Sequence, residues 1–206
     1  MANRGFSAVV FDIGGVLLEW KPDEIVRTFT NDPEMQALIK REIFDHPDWL
    51  AMDKGELSEV EAIGRASRRS GIQQAQLGKL MGHINDSLVP IQGSVSLVKQ
   101  LADDGVGLYC LSNMPDWRFE ELHSRYSFWN YFQEFVISGA IKMMKPDREI
   151  FEYFMTRFSR QPSTTIFIDD HQPNIDAARQ IGIGAILFNG AADCHDQLRT
   201  RFDWGR

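Results

Sequence analysis

The sequence predicts an α/β protein in which helices cover both faces of a parallel sheet. Short runs rich in β-branched and aromatic residues recur along the chain, and segments of helical periodicity separate most of them. The runs are apolar throughout and do not alternate with polar residues. A strand that is apolar on both sides must be buried on both faces, which is typical of a parallel sheet between two helical layers.

Five segments are predicted as strands. The first, residues 7–13 (SAVVFDI), carries Asp12 near its end and is cut off by Gly14 and Gly15. Glycines directly after a short apolar run indicate a tight turn. The remaining predicted strands are residues 106–111, 135–138, 165–169 and 183–188.

Helices are predicted between these strands because apolar residues recur every three or four positions. The predicted segments are residues 94–104, 147–158 and 174–181. Gly105 and Gly182 directly follow two of them, at positions where glycine commonly ends a helix. The last residues, 193–206, are predicted either as a terminal helix around Leu198 and Phe202 or as a partly disordered tail.

A long insertion of helical pattern separates the first two strands. Ser58 and Glu61 form a capping box, and the helix that they open is predicted to end near Gly71. The next helix has an apolar stripe of Leu77, Leu80, Met81, Ile84 and Leu88. The insertion is long enough for a small subdomain. The predicted domains are a core of residues 1–19 and 89–206 and a helical cap of residues 20–88.

Composition and charge narrow the possible functions. The chain has 206 residues, and 22 basic against 29 acidic side chains give a net charge of −7. An acidic chain is poorly suited to hold nucleic acid or anionic lipid by its overall field, so neither partner is expected. The two cysteines, Cys110 and Cys194, show no disulfide or metal-ligand spacing. With no signal-peptide pattern or membrane span, we expect a cytoplasmic monomer or homodimer.

Polar residues stand where the predicted strands end. They are Asp12 after the first strand, Ser112 and Asn113 after the second, Lys145 in the region after the third, and Asp169 and Asp170 at the end of the fourth. In a doubly wound sheet, ligands bind beyond the carboxyl ends of the strands. Crowded carboxylates need a cation, and hard oxygen ligands suit Mg²⁺, which often also takes a phosphate oxygen. This edge is therefore a candidate site for a metal and a phosphate.

Four motifs, in this order, resemble those of the haloacid dehalogenase (HAD) superfamily. They are FDIGGVL at residues 11–17, LSN at 111–113, KP at 145–146 and FIDDHQPN at 167–174. The helical insertion lies where that superfamily has its C1 cap, so the resemblance covers nearly the whole chain. It implies a Rossmann-like three-layer core with a small helical cap. Within the superfamily, the DDxxxN form of the last motif resembles the branch of α-D-glucose-1-phosphate phosphatase and the N-terminal phosphatase domain of soluble epoxide hydrolase.

The resemblance implies catalytic roles for Asp12, Ser112 and Lys145 and a substrate-binding role for Ser112, Asn113 and Lys145. Asp12 would be the nucleophile that forms an aspartyl-phosphate, and Lys145 would stabilise both the nucleophile and the phosphate charge. Ser112 and Asn113 would orient the phosphoryl group. All four would therefore contact or support a small phosphorylated substrate.

The resemblance also implies a Mg²⁺ site. Asp12 and Asp170 would be its acidic ligands, and Gly14 would offer its backbone carbonyl. Asp169 and Asn174 would support this arrangement. The expected cofactor is therefore Mg²⁺.

Gly14 departs from the usual pattern of the superfamily. Most of its phosphatases have an aspartate at this position, which acts as general acid and then as general base. Such a group typically contributes about 10²–10⁴-fold to the rate. The branch that this sequence resembles also has glycine there. Either the substrate has a good leaving group, such as an anomeric sugar phosphate, or another group serves, with Glu19 and His171 as candidates.

The predicted function is Mg²⁺-dependent hydrolysis of a small phosphorylated metabolite such as a sugar phosphate, through an aspartyl-phosphate intermediate. One alternative is a metal-independent haloacid dehalogenase, although the paired acids of the last motif would repel its carboxylate substrate. The other is a non-catalytic phosphoryl-binding or partner-binding module that lost its acid at Gly14. In the cap, Trp49, Met52 and Asp53 are candidates to face the substrate, with packing favoured for the first two.

Overall fold

The described part of the protein, residues 5–204 of a computed structural model, contains a five-stranded parallel sheet. The strands are β1 (Ala8–Phe11), β2 (Gly107–Ser112), β3 (Glu134–Ile137), β4 (Thr165–Asp169) and β5 (Gly184–Leu187). Their order across the sheet is β3-β2-β1-β4-β5. The predicted fold class is confirmed, and each strand coincides with or overlaps its predicted segment.

The insertion between β1 and β2 is helical, as predicted. Its helices are α1 (Pro22–Phe29), α2 (Pro33–Ile39), α3 (Pro47–Asp53), α4 (Glu59–Ser70) and α5 (Gln74–Ser87). A wider π-helical turn continues α2 to Phe44. The capping box of Ser58 and Glu61 opens α4, and Gly71 closes it in the left-handed conformation.

The remaining helices pack on the sheet. They are α6 (Gln92–Asp103), α7 (Asp116–Arg125), α8 (Ser138–Ile141), α9 (Arg148–Arg157), α10 (Gln172–Gln180) and α11 (Ala191–Arg201). The helical alternative for the C-terminal segment is therefore confirmed as far as Arg201, and residues 205–206 lie outside the described part.

Alternate residues of β1 enter two different apolar clusters. Val9 and Phe11 pack on one face of the sheet, whereas Ala8 and Val10 pack on the other. All four are buried. This double burial explains why the strand is apolar at every position and identifies β1 as the centre of the core.

The cap helices enclose an apolar cluster of their own. Its buried members run from Ile25 in α1 to Ile84 in α5. Trp20 packs against both this cluster and a cluster on the sheet, so it lies where the two layers meet. The division of the chain at residues 20 and 88 stays a prediction. Within residues 5–204, no helix combines the length and apolar character needed to cross a membrane.

Candidate active site

The order of the strands places three predicted site residues side by side. Central strand β1 pairs with β2 on one side and β4 on the other. The backbone N–H of Asp12 continues the ladder by donating to the Ile168 carbonyl at 2.8 Å. Because the strands are parallel, Asp12 lies at the same edge as Ser112 and Asp169. The site is thus assembled from segments more than 150 residues apart in sequence.

The two carboxylate oxygens of Asp12 have different surroundings. Oδ1 accepts hydrogen bonds from the Ser112 hydroxyl at 2.7 Å and the Ile13 backbone N–H at 2.7 Å. It also lies 2.9 Å from the Lys145 ammonium. Among residues 5–204, no hydrogen bond reaches Oδ2. One oxygen is therefore fixed in place, and the other is left for a metal or an incoming group.

Lys145 is a buried cation between two carboxylates. Its side chain is 1% exposed, and Nζ lies 2.6 Å from Asp169 Oδ2 as well as 2.9 Å from Asp12. Burial by itself would lower the pKa of Lys145, but the charges of Asp12 and Asp169 outweigh it and raise the pKa. The ammonium thus stays charged and supplies the local positive charge that the acidic chain as a whole lacks.

Asn113 contacts the main chain of Lys145. Its side chain donates from Nδ2 to the Lys145 carbonyl at 2.8 Å and accepts at Oδ1 from the Lys145 backbone N–H at 2.8 Å. Both polar atoms are therefore occupied by the main chain of Lys145. Asn113 positions the lysine, and Ser112 contacts the candidate nucleophile.

Asp169 is completely buried and accepts four hydrogen bonds from three donor groups. Oδ1 accepts from the His171 backbone N–H at 2.8 Å and from Asn174 Nδ2 at 3.0 Å. Oδ2 accepts from Asn174 Nδ2 at 2.9 Å and from Lys145 at 2.6 Å. Such a carboxylate has little capacity left for a metal. This arrangement agrees with the supporting role that the motif implies for Asp169 and Asn174.

A metal could be held where three carboxylates converge. Asp12, Asp169 and Asp170 each place an oxygen within 4.8 Å of the others. Because Asp169 is already engaged, the free donors are Asp12 Oδ2 and the exposed carboxylate of Asp170. Gly14 lines the same cavity. Together with the Gly14 carbonyl, which the motif implies as a further ligand, the two carboxylates would form an all-oxygen donor set that leaves positions for water and phosphate, as Mg²⁺ prefers.

The electrostatics of Asp12 also indicate a need for a cation. Burial raises the pKa of Asp12 to about 7, and the charge of Asp169 adds to the increase while Lys145 opposes it. Partial burial and the charge of Asp169 likewise raise the pKa of Asp170. Two carboxylates that resist ionisation side by side are stabilised in their charged form by a divalent cation.

Glycine is required at position 15 because the backbone is left-handed there and the carboxylate of Asp170 lies too close for a side chain. Its φ is +74°, and a Cβ atom at this position would lie 2.1 Å from Asp170 Oδ2. We expect Gly15→Ala to displace the carboxylate of Asp170 and to weaken the affinity for Mg²⁺ by about tenfold or more. The left-handed backbone costs an L-residue about 1–2 kcal/mol in addition. Isothermal titration with Mg²⁺ and chemical unfolding would measure the two effects.

Gly71→Ala is the matched control for that substitution. Gly71 has nearly the same φ of +76°, but nothing lies within 4 Å of a Cβ atom there. The control should lose similar stability and keep its affinity for Mg²⁺. Equal Mg²⁺ affinity in the two variants would contradict the role given to Asp170.

A cavity of about 800 Å³ opens in front of these residues. Its inner end holds Asp12, Ser112 and Asp170, and its outer part is lined by cap residues. Trp20 and Trp49 stack there with ring centres 5.7 Å apart. Phe44, Leu50, Leu88 and Met114 complete this apolar surface, which we call the aromatic wall together with Trp20 and Trp49. Charged cap residues such as Lys40 and Asp45 also line the cavity. The charged residues around Asp12 and the aromatic wall together suit an organic phosphate.

The candidate cap residues have different positions. Trp49 and Asp53 line the cavity, whereas Met52 is buried in the cap cluster. Of the two candidates for a replacement acid, His171 lines the cavity. Glu19 instead forms an ion pair with Lys21 at 2.8 Å and is not part of the lining.

Sequence reasoning missed Arg118. This residue is 3% exposed, lines the cavity, and places its guanidinium over Trp49 at 5.2 Å and Trp117 at 4.9 Å. No motif marks it, because an arginine in the first turns of an amphipathic helix usually faces solvent. Its tryptophan neighbours come partly from the cap, so only the packed structure reveals the environment.

Comparison with known proteins agrees with this geometry. The family model described as "Haloacid dehalogenase-like hydrolase" matches residues 52–188. The chain is a haloacid dehalogenase-like hydrolase. The match includes the segments that supply Ser112, Lys145 and Asp169, which are the residues around Asp12 in the structure.

Two curated relatives of this haloacid dehalogenase-like hydrolase are fungal. It is 27% identical to sesquiterpene phosphatase astK of Aspergillus oryzae over 92% of this chain and 93% of the relative. It is also 26% identical to drimenol cyclase drtB of Aspergillus calidoustus, over 95% of this chain but only 36% of that longer protein.

A solved structure confirms the fold. A HAD family enzyme from Bacteroides thetaiotaomicron, in its magnesium complex, superposes with a TM-score of 0.75 at 23% identity, covering 95% of this chain and 100% of that one. The same enzyme has also been solved with magnesium and inorganic phosphate. The Rossmann-like core with its helical insertion is therefore shared by both proteins.

Proposed function

We propose that this haloacid dehalogenase-like hydrolase is a Mg²⁺-dependent phosphohydrolase that uses Asp12 as its nucleophile. The observation that carries the proposal is the position of Asp12, which is held by Ser112 at 2.7 Å and Lys145 at 2.9 Å at the inner end of a cavity. The relative named as a sesquiterpene phosphatase, similar over nearly its whole length, supports a phosphate ester as substrate.

The residues divide the work of phosphoryl transfer. Asp12 attacks phosphorus, the ester P–O bond breaks, and an aspartyl-phosphate forms, which water then hydrolyses. Lys145 neutralises charge on the nucleophile and on the phosphoryl oxygens, and its burial strengthens this effect. Asn113 and Asp169 hold Lys145 from its backbone and its ammonium. Mg²⁺, held by Asp12, Asp170 and the Gly14 carbonyl, would stabilise negative charge on the phosphoryl group.

The aromatic wall supports a substrate with a sizeable apolar surface. Rings stacked like those of Trp20 and Trp49 favour a flat or hydrocarbon group over bulk water. A sesquiterpenyl phosphate fits this wall and agrees with the name of the fungal relative. A sugar phosphate, which the sequence motifs suggest, could also stack a face on the tryptophans. We infer that the cap selects between such substrates, since it contributes most of the wall.

The proposal is tested by phosphate release from three esters. p-Nitrophenyl phosphate, glucose 1-phosphate and farnesyl phosphate would each be assayed with Mg²⁺ and with EDTA. We expect turnover that requires Mg²⁺ and a kcat/KM that is highest for farnesyl phosphate, because only its chain covers the aromatic wall.

Two outcomes would contradict the proposal. Chloride release from 2-chloropropionate that is insensitive to EDTA would favour a dehalogenase. Binding of inorganic phosphate without turnover of any ester, in protein shown to be folded, would favour a phosphoryl-binding module. If kcat/KM were highest for glucose 1-phosphate, the proposed phosphohydrolase activity would stand, and only the proposed preference for an apolar substrate would be wrong.

A further inference from the structure

The absence of a carboxylate at position 14 leaves the leaving oxygen without an obvious proton donor. Gly14 lines the cavity beside Asp12 and offers only backbone atoms. An alkoxide leaving group needs protonation, which a positioned side chain typically accelerates by about 10²–10⁴-fold. Another carboxyl group that lines the cavity would therefore have to carry this proton.

We propose that Asp53, contributed by the cap, is the general acid and general base of this site. Asp53 lines the same cavity as Asp12 and Gly14, yet it is only 8% exposed. Among residues 5–204, no hydrogen bond or ion pair joins it to Asp12, so it is free of the cluster that holds the nucleophile. The inference rests on the proposed phosphohydrolase function.

The core fixes the position of Asp53. Ser138 directly follows β3, and its hydroxyl donates a hydrogen bond to the backbone carbonyl of Asp53. The same hydroxyl accepts a hydrogen bond from the Met114 backbone N–H at 2.9 Å. Two residues later, Gly55 passes so close to the core that a Cβ atom there would lie 2.2 Å from the Gly139 carbonyl oxygen. The end of α3 is thus anchored at the carboxyl edge of the sheet, where the reaction takes place.

The surroundings of Asp53 suit a carboxyl group that gains and loses a proton. Burial raises its pKa to about 7, the charge of Arg118 and the side chain of Trp49 oppose the increase, and the charge of Asp12 adds to it. Although Arg118 is near, no cation in the described part of the chain lies within 4.0 Å of the carboxylate. Without a direct ion pair, the protonated form remains accessible at neutral pH.

The charge of Arg118 opposes the increase in the pKa of Asp53 without cancelling it. Its Nε and Nη2 atoms are buried and have no hydrogen-bond partner among residues 5–204. Burial lowers the pKa of this guanidinium, and the charges of Asp53, Glu59 and Glu121 oppose that decrease. A positive charge at this distance keeps the pKa of Asp53 near neutrality, which is the range in which a general acid–base works best.

The proposed steps balance. As Asp12 bonds to phosphorus and the ester P–O bond breaks, the carboxyl proton of Asp53 passes to the leaving oxygen, releasing an alcohol. The Asp53 carboxylate then removes a proton from water while the water oxygen bonds to phosphorus. The Asp12–phosphorus bond breaks, the Asp12 carboxylate is restored, and phosphate leaves.

Asp53→Asn tests the proposal, with Glu56→Gln as the matched control. Glu56 is exposed, pairs with Lys54 and lies outside the cavity. In Asp53→Asn, we expect the first turnover of farnesyl phosphate to slow by about 10²–10⁴-fold. The first turnover of p-nitrophenyl phosphate, whose leaving group needs no proton, should change by less than about tenfold and be followed by a slow steady state. This burst reports the missing base.

The pH dependence gives a second readout. Because Asp53 must be protonated to act as the acid, the wild-type first-turnover rate with farnesyl phosphate should fall on the alkaline side of its pH profile, and this fall should be absent in Asp53→Asn. The rise at lower pH that reflects ionisation of the nucleophile Asp12 should remain in both. Equal slowing of both esters, or an unchanged pH profile in a folded Asp53→Asn variant, would overturn the role of Asp53. If the folded wild-type enzyme turned over neither ester, the proposed function itself would be overturned.

Discussion

Asp12→Asn is expected to reduce turnover by about 10⁴-fold or more while the protein remains folded. Asparagine cannot form the acyl-phosphate, and removal of a covalent nucleophile usually has effects of this size. The amide oxygen can still accept hydrogen bonds from Ser112 and the Ile13 backbone. Lys145 keeps its second partner, Asp169, at 2.6 Å. Rates with p-nitrophenyl phosphate, together with circular dichroism, would measure both parts of the prediction.

The comparison variant for Asp12 is Asp45→Asn. Asp45 lines the outer part of the same cavity and is exposed. It should retain turnover within about a few-fold, because a solvated carboxylate at the rim contributes little to the chemistry. Covalent labelling by radioactive phosphate that persists in Asp12→Asn would show that the nucleophile lies elsewhere.

Lys145→Met should damage both catalysis and stability. The methionine fills a similar volume but leaves Asp12 and Asp169 buried without their cation. Removing one partner of a buried ion pair typically costs about 3–5 kcal/mol in the free energy of unfolding. Loss of the charge at the phosphoryl group should lower kcat by about 10²–10³-fold, as for other preorganised charge stabilisers. Urea denaturation in EDTA and steady-state kinetics would measure the two effects.

Lys142→Met is the control for the lysine. Lys142 lies three residues earlier and is exposed. Its substitution should change the free energy of unfolding by less than about 1 kcal/mol, as surface charges generally do, and should leave kcat unchanged. Similar losses in the two variants would mean that the buried cation between the carboxylates is not what stabilises this edge of the sheet.

The sequence predicted what depends on local pattern. Strand β4 was predicted at its observed bounds because a completely buried strand must be apolar at every position. The capping box that opens α4 and the glycine that ends it, Gly71, were equally predictable because both depend on residues within or next to one helix. The polar ends of the strands indicated the edge of the sheet where Asp12, Lys145 and Asp170 meet.

The tertiary structure decided how the polar groups divide their tasks. Nothing in the LSN motif shows that Asn113 binds the backbone of Lys145, because that contact joins residues 32 positions apart. The environments of Asp53 and Arg118 depend on how α3 meets the core, where the Arg118 guanidinium lies over the Trp49 ring. Helical periodicity shows which face of a helix is buried but not which distant side chains meet it. The sequence by itself therefore determined the fold and the chemical elements of the site, whereas only the packing of cap on core shaped its cavity and its candidate acid.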